Sequence, residues 1–555
     1  VRDARRPLTL LAVFLAAVLA HARSAQATFV YDDHRFVVQN PAIESLRDPA
    51  SFFTDPGTAS AAAGIEPDVY RPLRTLHFAI DRALFGLAPT GWHVVSMLVH
   101  ALVAVLVWVL LLRVVAPGAG RAGAAAALFG ALLFAVHPVT AEAVAWVSSR
   151  GDLLAMLLVL AGLEVLRRPG AGRTVGGAAL VAAGCLAKES AVVAFAWLPL
   201  RDLALPASSR PPARATAVRT AVLAGVALAY LGVRALAMEG AGGRPLGQVE
   251  MPEGGRPLVL ATTLSAVAGY ARALLLPVGF PFERDHPPAA SFAEPGVVVG
   301  AGIVLTMLLA GVAALRRGRG ALALGCLGPL AALVPVSNVL VPLKTFSAER
   351  FLYPALPFLV VLPALGLRRL LVARARPVAA ASALSGVVAV VVLAVATLAR
   401  ERHWRDDRAL WTAVQREDPS NPRAYEGLGF QRMLGGDPAG AERAYRTYLE
   451  SAPEDGKSQA VLGDLFGGVA REREVSAGLA DPNHPLAIEG VLPEDVDPSR
   501  SGTRETLTGA FFARTQQIHA YRRALETWER VGLERGRGSP ALRRKTAEAL
   551  RGAAM

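Results

Sequence analysis

Asp32 and Asp33 stand side by side in the run Phe29-Val30-Tyr31-Asp32-Asp33-His34, directly after the first apolar segment. Two carboxylates at a membrane surface are costly to hold unless they do chemistry or bind a cation. Neighbouring like charges also raise the proton affinity of one member, unless a cation or an arginine compensates. The plainer reading of the pair is a helix cap in a loop. A second polar group, His137, Glu142, Arg150 and Asp152, lies between two apolar runs. Each of these taken alone also reads as a cap or an interfacial anchor. Lys188-Glu189 falls at a turn and reads as a self-neutralised pair, and Arg350 follows Glu349 at the edge of another apolar run. His100, deep inside a run, has the place of a buried hydrogen-bonding residue. A divalent cation, magnesium or manganese, would have Asp33 and Glu142 as candidate ligands; no other cofactor is implied.

Such groups need a scaffold that gathers them at one membrane face. Of 555 residues, 53% are hydrophobic and 19% charged, and the apolar excess lies in segments long enough to span a bilayer. The formal net charge of +13 does not mark a nucleic-acid partner. Arg167-Arg168, Arg316-Arg317-Arg319 and Arg368-Arg369 close apolar runs, which is a topology signal, and no nucleic-acid motif occurs. Cys185 and Cys326, far apart within apolar runs, give neither a disulfide framework nor a cysteine zinc site.

The first run, Leu8 to Ala20, follows Arg2, Arg5 and Arg6 and reads as a retained anchor with a cytoplasmic amino end. Ala25-Gln26-Ala27 would serve for cleavage if the run were a signal peptide instead. Further spans are expected at 92–113, 122–137, 151–167, 174–187, 190–204, 217–238, 296–315, 321–341, 351–372 and 378–399, about eleven in all. With the Arg-rich connections inside, the loops 24–91, 137–152, 277–295 and 341–350 and the tail face outward. The stretch 258–276 is apolar enough to span but would invert this pattern, so a re-entrant or surface-lying segment is expected there. The Ala-, Arg-, Gly- and Pro-rich composition points to a bacterial genome, hence to a multi-pass protein of a bacterial inner membrane.

After residue 400 and a linker over 401–420 the chain changes character. Tyr425, Leu428, Gly429, Ala441, Tyr445, Tyr448 and Pro453 fit a tetratricopeptide repeat, and Leu462-Gly463 recurs about one 34-residue period after Leu428-Gly429. Residues 421–555 are therefore read as an α-solenoid with an acidic, Pro-rich insertion near 471–502. Such arrays bind extended peptides or proteins on a concave face.

Several strings in fixed order carry a family resemblance. The acid motif with Asn40-Pro41 comes first, then Tyr70-Arg71-Pro72-Leu73 and Gly91-Trp92-His93. His137-Pro138-Val139-Thr140-Ala141-Glu142-Ala143-Val144-Ala145-Trp146 with Ser149-Arg150-Gly151-Asp152 is the most specific. Leu186-Ala187-Lys188-Glu189, Pro335-Val336-Ser337-Asn338 and Ala348-Glu349-Arg350-Phe351-Leu352-Tyr353-Pro354 complete the set. Over about residues 8–465 the chain resembles the transmembrane tetratricopeptide-repeat O-mannosyltransferases and their bacterial relatives. That resemblance implies an all-α membrane domain of GT-C type over 1–400, a sugar donor linked to a polyprenyl phosphate, and a protein or other acceptor on the outer face. It also implies that the acids of the first outer loop serve the transfer, so Asp32 and Asp33 are the catalytic candidates. An acceptor hydroxyl needs a base, or the anomeric carbon a supporting carboxylate. The phosphate leaving group needs positive charge, for which Arg71, Arg150, Lys188 and Arg350 are candidates, with Arg74 competing. Glu142 and His137 complete the candidate set, Glu142 as a cation ligand or acceptor guide. The stretch 239–295 departs from the family pattern, which leaves sugar and acceptor open. A non-catalytic scaffold recruiting partners through its tail is the alternative. A transporter fits less well, because no internal repeat relates the halves and the charges gather on one face.

Overall fold

The computed structural model describes residues 6–451 apart from 61–68, 242–254, 280–281, 283–288, 342, 344 and 374–375. The readings made on Leu462-Gly463, on 471–502 and on the rest of the tail lie outside the described residues. The described residues form helices and turns with no strand.

The apolar runs become helices. The order is α1 (Arg6–Ala20), α2 (Ser51–Thr54), α3 (Pro72–Phe85), α4 (Pro89–Val114), α5 (Gly120–Val136), α6 (Ala141–Ala145), α7 (Arg150–Val165), α8 (Ala171–Ala187), α9 (Ala194–Ala204) and α10 (Ala213–Gly240). There follow α11 (Gly255–Leu275), α12 (Pro295–Arg316), α13 (Gly320–Leu333), α14 (Leu356–Leu359), α15 (Val361–Ala373), α16 (Arg376–Arg400), α17 (Asp407–Glu417), α18 (Pro422–Leu434) and α19 (Pro438–Ser451). Proline opens α3, α4 and α12, where a missing N–H costs nothing because the first turn has no partner for it.

The chain divides into two compact units, residues 1–410 and 411–555. In the first, α1 packs on α4 and α5, α4 on α7, α7 on α8, and α9 on α10 and α13. Its core runs through Trp108, Phe134, Leu153, Trp197, Tyr353 and Phe358. Small residues set the closest approaches: a Cβ at Gly162 of α7 would lie 2.9 Å from the Gly177 carbonyl of α8, and one at Gly300 of α12 would strike the Leu264 carbonyl of α11.

Among the described residues, five helices are long and apolar enough to cross a membrane: α4, α10, α11, α12 and Arg376–Trp404. A sixth results if the pair bent by 47° after Val136 counts as one span. Helix length leaves the expected eleven unconfirmed: Pro7–Ala20, Ala171–Ala187 and Gly320–Val336 are shorter apolar helices, and the run 351–372 is broken into pieces. Pro354 and Pro357 each remove an N–H, and the chain passes through a 3-10 turn at Glu349–Leu352 and the short α14 before α15. The stretch 258–276, expected to be re-entrant or surface-lying, is the unbroken 21-residue α11, long and apolar enough to cross. The stretch 137–152, expected as an outer loop, is covered by the rest of the protein: every residue from 134 to 156 is buried, in a 3-10 turn at Pro138–Thr140, α6, a 3-10 turn at Val147–Ser149 and the start of α7.

In the second unit, Asn421 caps α18 by accepting from the Arg423 N–H. α18 and α19 pack through Ala424, Leu428, Ala441 and Tyr445, the last lying against Gly429. One helix pair of repeat-like form is described there. Residues 401–420, expected as a linker, are largely helical in Glu401–Trp404 and α17.

Candidate active site

The acid motif lies in a tight turn at 28–34. Tyr31 is left-handed, with φ +53°, a conformation that costs a side-chain-bearing residue about 1–2 kcal/mol and is kept only where the surroundings demand it. The turn sends its two acids to different places. Asp33 is completely buried. Its Oδ1 accepts from the Ser148 N–H at 2.7 Å and the Ser148 hydroxyl at 2.5 Å, and its Oδ2 from the Val30 N–H at 3.2 Å. Burial pushes the Asp33 carboxyl up to about 7, against these hydrogen bonds, with Asp32 the smallest contributor. A raised member of the pair is what adjacent charges predict, but the cause is desolvation. Asp32 is only half-buried.

Around this turn the buried segment 137–152 supplies a floor. The Tyr31 ring packs on Trp146 at 5.6 Å and on Phe282 at 5.5 Å, and the Arg350 guanidinium lies over the same Trp146 ring at 5.0 Å. Arg350 is also bonded to Glu142, which takes both its side chain and its N–H, the latter at 3.0 Å. Two candidates far apart in sequence are thus one pair, and both approach the acid turn through Trp146.

Deeper, the charges are matched crosswise. Lys188 bonds Asp152 at 2.5 Å, and Arg71 grips Glu189 with Nε at 3.0 Å and Nη2 at 2.6 Å. Lys188-Glu189 is therefore not self-neutralised, because neighbouring side chains diverge and each meets a partner from another element. Burial would raise the Glu189 carboxyl, but Arg71 overcomes it and holds it well below the usual carboxylate range. Arg150 is fully buried: Nε donates to Ser96 at 3.0 Å, Nη1 to Asp81 and to His77 at 3.2 Å, and Nη2 to the Trp92 carbonyl at 2.6 Å. With every nitrogen engaged, Arg150 here joins α3, α4 and α7 rather than facing an anion. Arg74 is buried beneath the turn, over Phe36 at 4.4 Å.

The histidines are structural in this arrangement. His137 donates through Nε2 to the Leu274 carbonyl at 3.1 Å and accepts from the Val139 N–H at 3.3 Å. His100 meets the Tyr353 hydroxyl at 2.9 Å and donates to the Ala135 carbonyl at 3.1 Å. Sequence reasoning missed a third, His21, whose Nδ1 lies 2.6 Å from Glu401 and whose Nε2 lies 3.1 Å from Thr140. Ser24 adds its N–H at 3.2 Å and its hydroxyl at 2.8 Å to the same Glu401. Asp81, Ser148 and the Glu349–Arg400 pair were likewise not anticipated. Their only signal was a polar residue at the border of an apolar run.

Both oxygens of Asp33 and of Glu142, the two residues considered for a divalent cation, accept hydrogen bonds, and among the described residues there is no group of three or more His, Cys, Asp or Glu that could hold a metal.

No protein-family model matches the sequence. Protein O-mannosyl-transferase TMTC1 of Mus musculus is 36% identical over 148 residues, 26% of this chain and 15% of its own. Tmtc1 of Drosophila melanogaster is 33% identical over 196 residues, 34% and 22% of the two chains, and TMTC4 of Homo sapiens 35% over 159 residues, 27% and 22%. The chain is similar to these proteins over those segments. The resemblance carried by the motifs therefore holds, while the matched segments span about a fifth or less of the relatives' length. A solved structure, ArnT from Cupriavidus metallidurans bound to undecaprenyl phosphate, has a TM-score of 0.39 at 19% identity, covering 93% of this chain and 89% of its own. That likeness is too loose to carry an argument.

Proposed function

We propose that the chain is a membrane glycosyltransferase that moves a hexose, first of all mannose, from a polyprenyl-phosphate carrier to a hydroxyl of a protein or other acceptor at the outer face. The acceptor oxygen attacks the anomeric carbon while Asp32 takes its proton. The bond from that carbon to the phosphate oxygen breaks, polyprenyl phosphate leaves with the electron pair, and configuration inverts. Arg350 turns from Glu142 toward the phosphate and offsets its charge. Asp33 holds the turn.

The observation that carries this reading is the division within the acid pair. Asp33 is enclosed by Ser148, whereas Asp32 adjoins Tyr31, whose ring shares Trp146 with Arg350. The names of the relatives support mannose and a protein acceptor, and the Arg asymmetry supports an inner-membrane protein with its tail outside. In proteoliposomes with polyprenyl-phosphate mannose and a threonine-rich peptide, Asp32→Asn should insert normally and lose about 10²–10⁴-fold in transfer. Full transfer by Asp32→Asn would overturn the acid mechanism. A reporter fused after Arg423 should be active only outside the cytoplasm, and cytoplasmic activity would reverse the orientation.

A non-catalytic scaffold is favoured by one observation, that Asp33, Arg71, Arg150 and Lys188 all have partners within the chain. Under that reading no sugar donor is consumed by the wild type, and Asp32→Asn changes nothing but partner capture.

A further inference from the structure

We infer that Asp407, which lies outside every motif that marks the family resemblance, is a positioning residue that clasps the acid turn from Tyr31 to His34 and so aims Asp32; this rests on the transferase reading. Asp407 is largely buried, and its two carboxylate oxygens take hold on either side of the acid pair. Oδ1 accepts from the Tyr31 N–H at 2.8 Å, and Oδ2 lies 2.7 Å from His34 Nε2. Two residues earlier, the Arg405 carbonyl accepts from the Thr28 N–H at 2.8 Å. The segment 405–407 therefore brackets the turn at its start, middle and end, while Ser148 grips Asp33 from the buried segment.

The left-handed Tyr31 explains why such a bracket is needed. A tyrosine does not stay at φ +53° unaided, and the Asp407 bond to its own N–H is the contact that directly fixes that peptide. If the N–H is released, Tyr31 relaxes toward ordinary φ and carries the following Asp32 with it. Donating to the Asp407 carboxylate raises the proton affinity of the His34 imidazole, against burial, and makes the second arm of the clasp charge-assisted. Asp407 acts on the turn through Tyr31 and His34. Its loss should lower turnover and leave donor affinity alone.

The full chain in liposomes, given polyprenyl-phosphate mannose and a threonine-rich peptide, provides the test. Asp407→Ala should lower kcat about 30- to 100-fold with the donor KM within about threefold, as a misaimed catalytic group does. Asp407→Asn keeps an oxygen for the Tyr31 N–H and should recover to within about fivefold of wild-type kcat. Amide exchange across 29–35 should speed up about tenfold in Asp407→Ala and stay at the wild-type level in Asp407→Asn. Wild-type kcat in Asp407→Ala, unchanged exchange across 29–35, or equal damage in both variants would each overturn the clasp. A wild type that transfers no sugar defeats the transferase reading instead, and the exchange measurement still judges the clasp.

Discussion

Helix α7 carries an ion-pair cluster at each end, and the two are built differently. At its amino end, Arg150 and Asp152 join Asp81 and His77 of α3 and Lys188 after α8, residues brought from two other parts of the chain. Beside them lie a strained turn and a carboxyl held up to about 7 by burial. At its carboxyl end, Glu164 receives Arg113 at 3.2 Å and Arg167 at 3.0 Å, Asp202 receives Arg219 and Thr216, and Arg201 and Arg219 donate to the Leu163 and Leu166 carbonyls. Those arginines satisfy the last carbonyls of a helix whose carboxyl end carries partial negative charge, which is a structural task. Charge density alone does not distinguish a site from a scaffold. The strained turn and the displaced proton affinity beside the amino end do.

Breaking either end tests that contrast. Arg150→Ala should cost about 3–5 kcal/mol, because it leaves Asp81 buried and uncompensated, and should lower transfer by the fraction that still folds, because α3, α4 and α7 beside the acid turn lose their common tie. Asp202→Asn should also lower the melting temperature in detergent yet leave transfer per folded molecule near wild type. Equal loss of specific activity from both would erase the distinction. Ser148→Ala, which removes one donor from buried Asp33, should cost about 1–3 kcal/mol and reduce transfer. Next in size is a pH effect. Burial raises Asp33, so the folded chain keeps a proton that the unfolded chain has lost above the ordinary carboxylate range. The stability from this group is full at low pH and disappears as pH rises through about 7. Melting followed from about pH 5 to 7.5 should fall more steeply in the wild type than in Asp33→Asn, and parallel curves would remove this proton from the account. Smallest of all, Glu164→Gln breaks half-exposed pairs at the far end and should shift stability by less than about 1 kcal/mol with transfer unchanged.

Much of this was legible in the sequence. The apolar runs at 92–113, 217–238, 296–315 and 378–399 are helices at those places, and the acid motif and the 137–152 string belong to one neighbourhood. What hydropathy did not show is the burial of 137–152, where polar residues spaced among alanines and valines read as a loop. Whether such a segment is exposed or covered depends on whether each polar group finds a partner, and those partners, Asp33, Arg350 and Lys188, come from far along the chain. The broken run at 351–372 was readable in principle from Pro354 and Pro357. Asp81, His21 and Glu401 were not, since a single polar residue at the end of an apolar run has no periodicity to announce it.

The bonds of His21 to Glu401 and Tyr31 to Asp407 join residues 380 and 376 positions apart. At about 5–20 residues per second, the ribosome needs roughly 20–75 s to travel from one partner to the other. For that interval the acid turn has the grip of Ser148 on Asp33 and lacks the clasp of Asp407. Completion of the turn is thus a late event of biosynthesis, and a nascent chain released before residue 407 carries every motif of the first loop without that clasp.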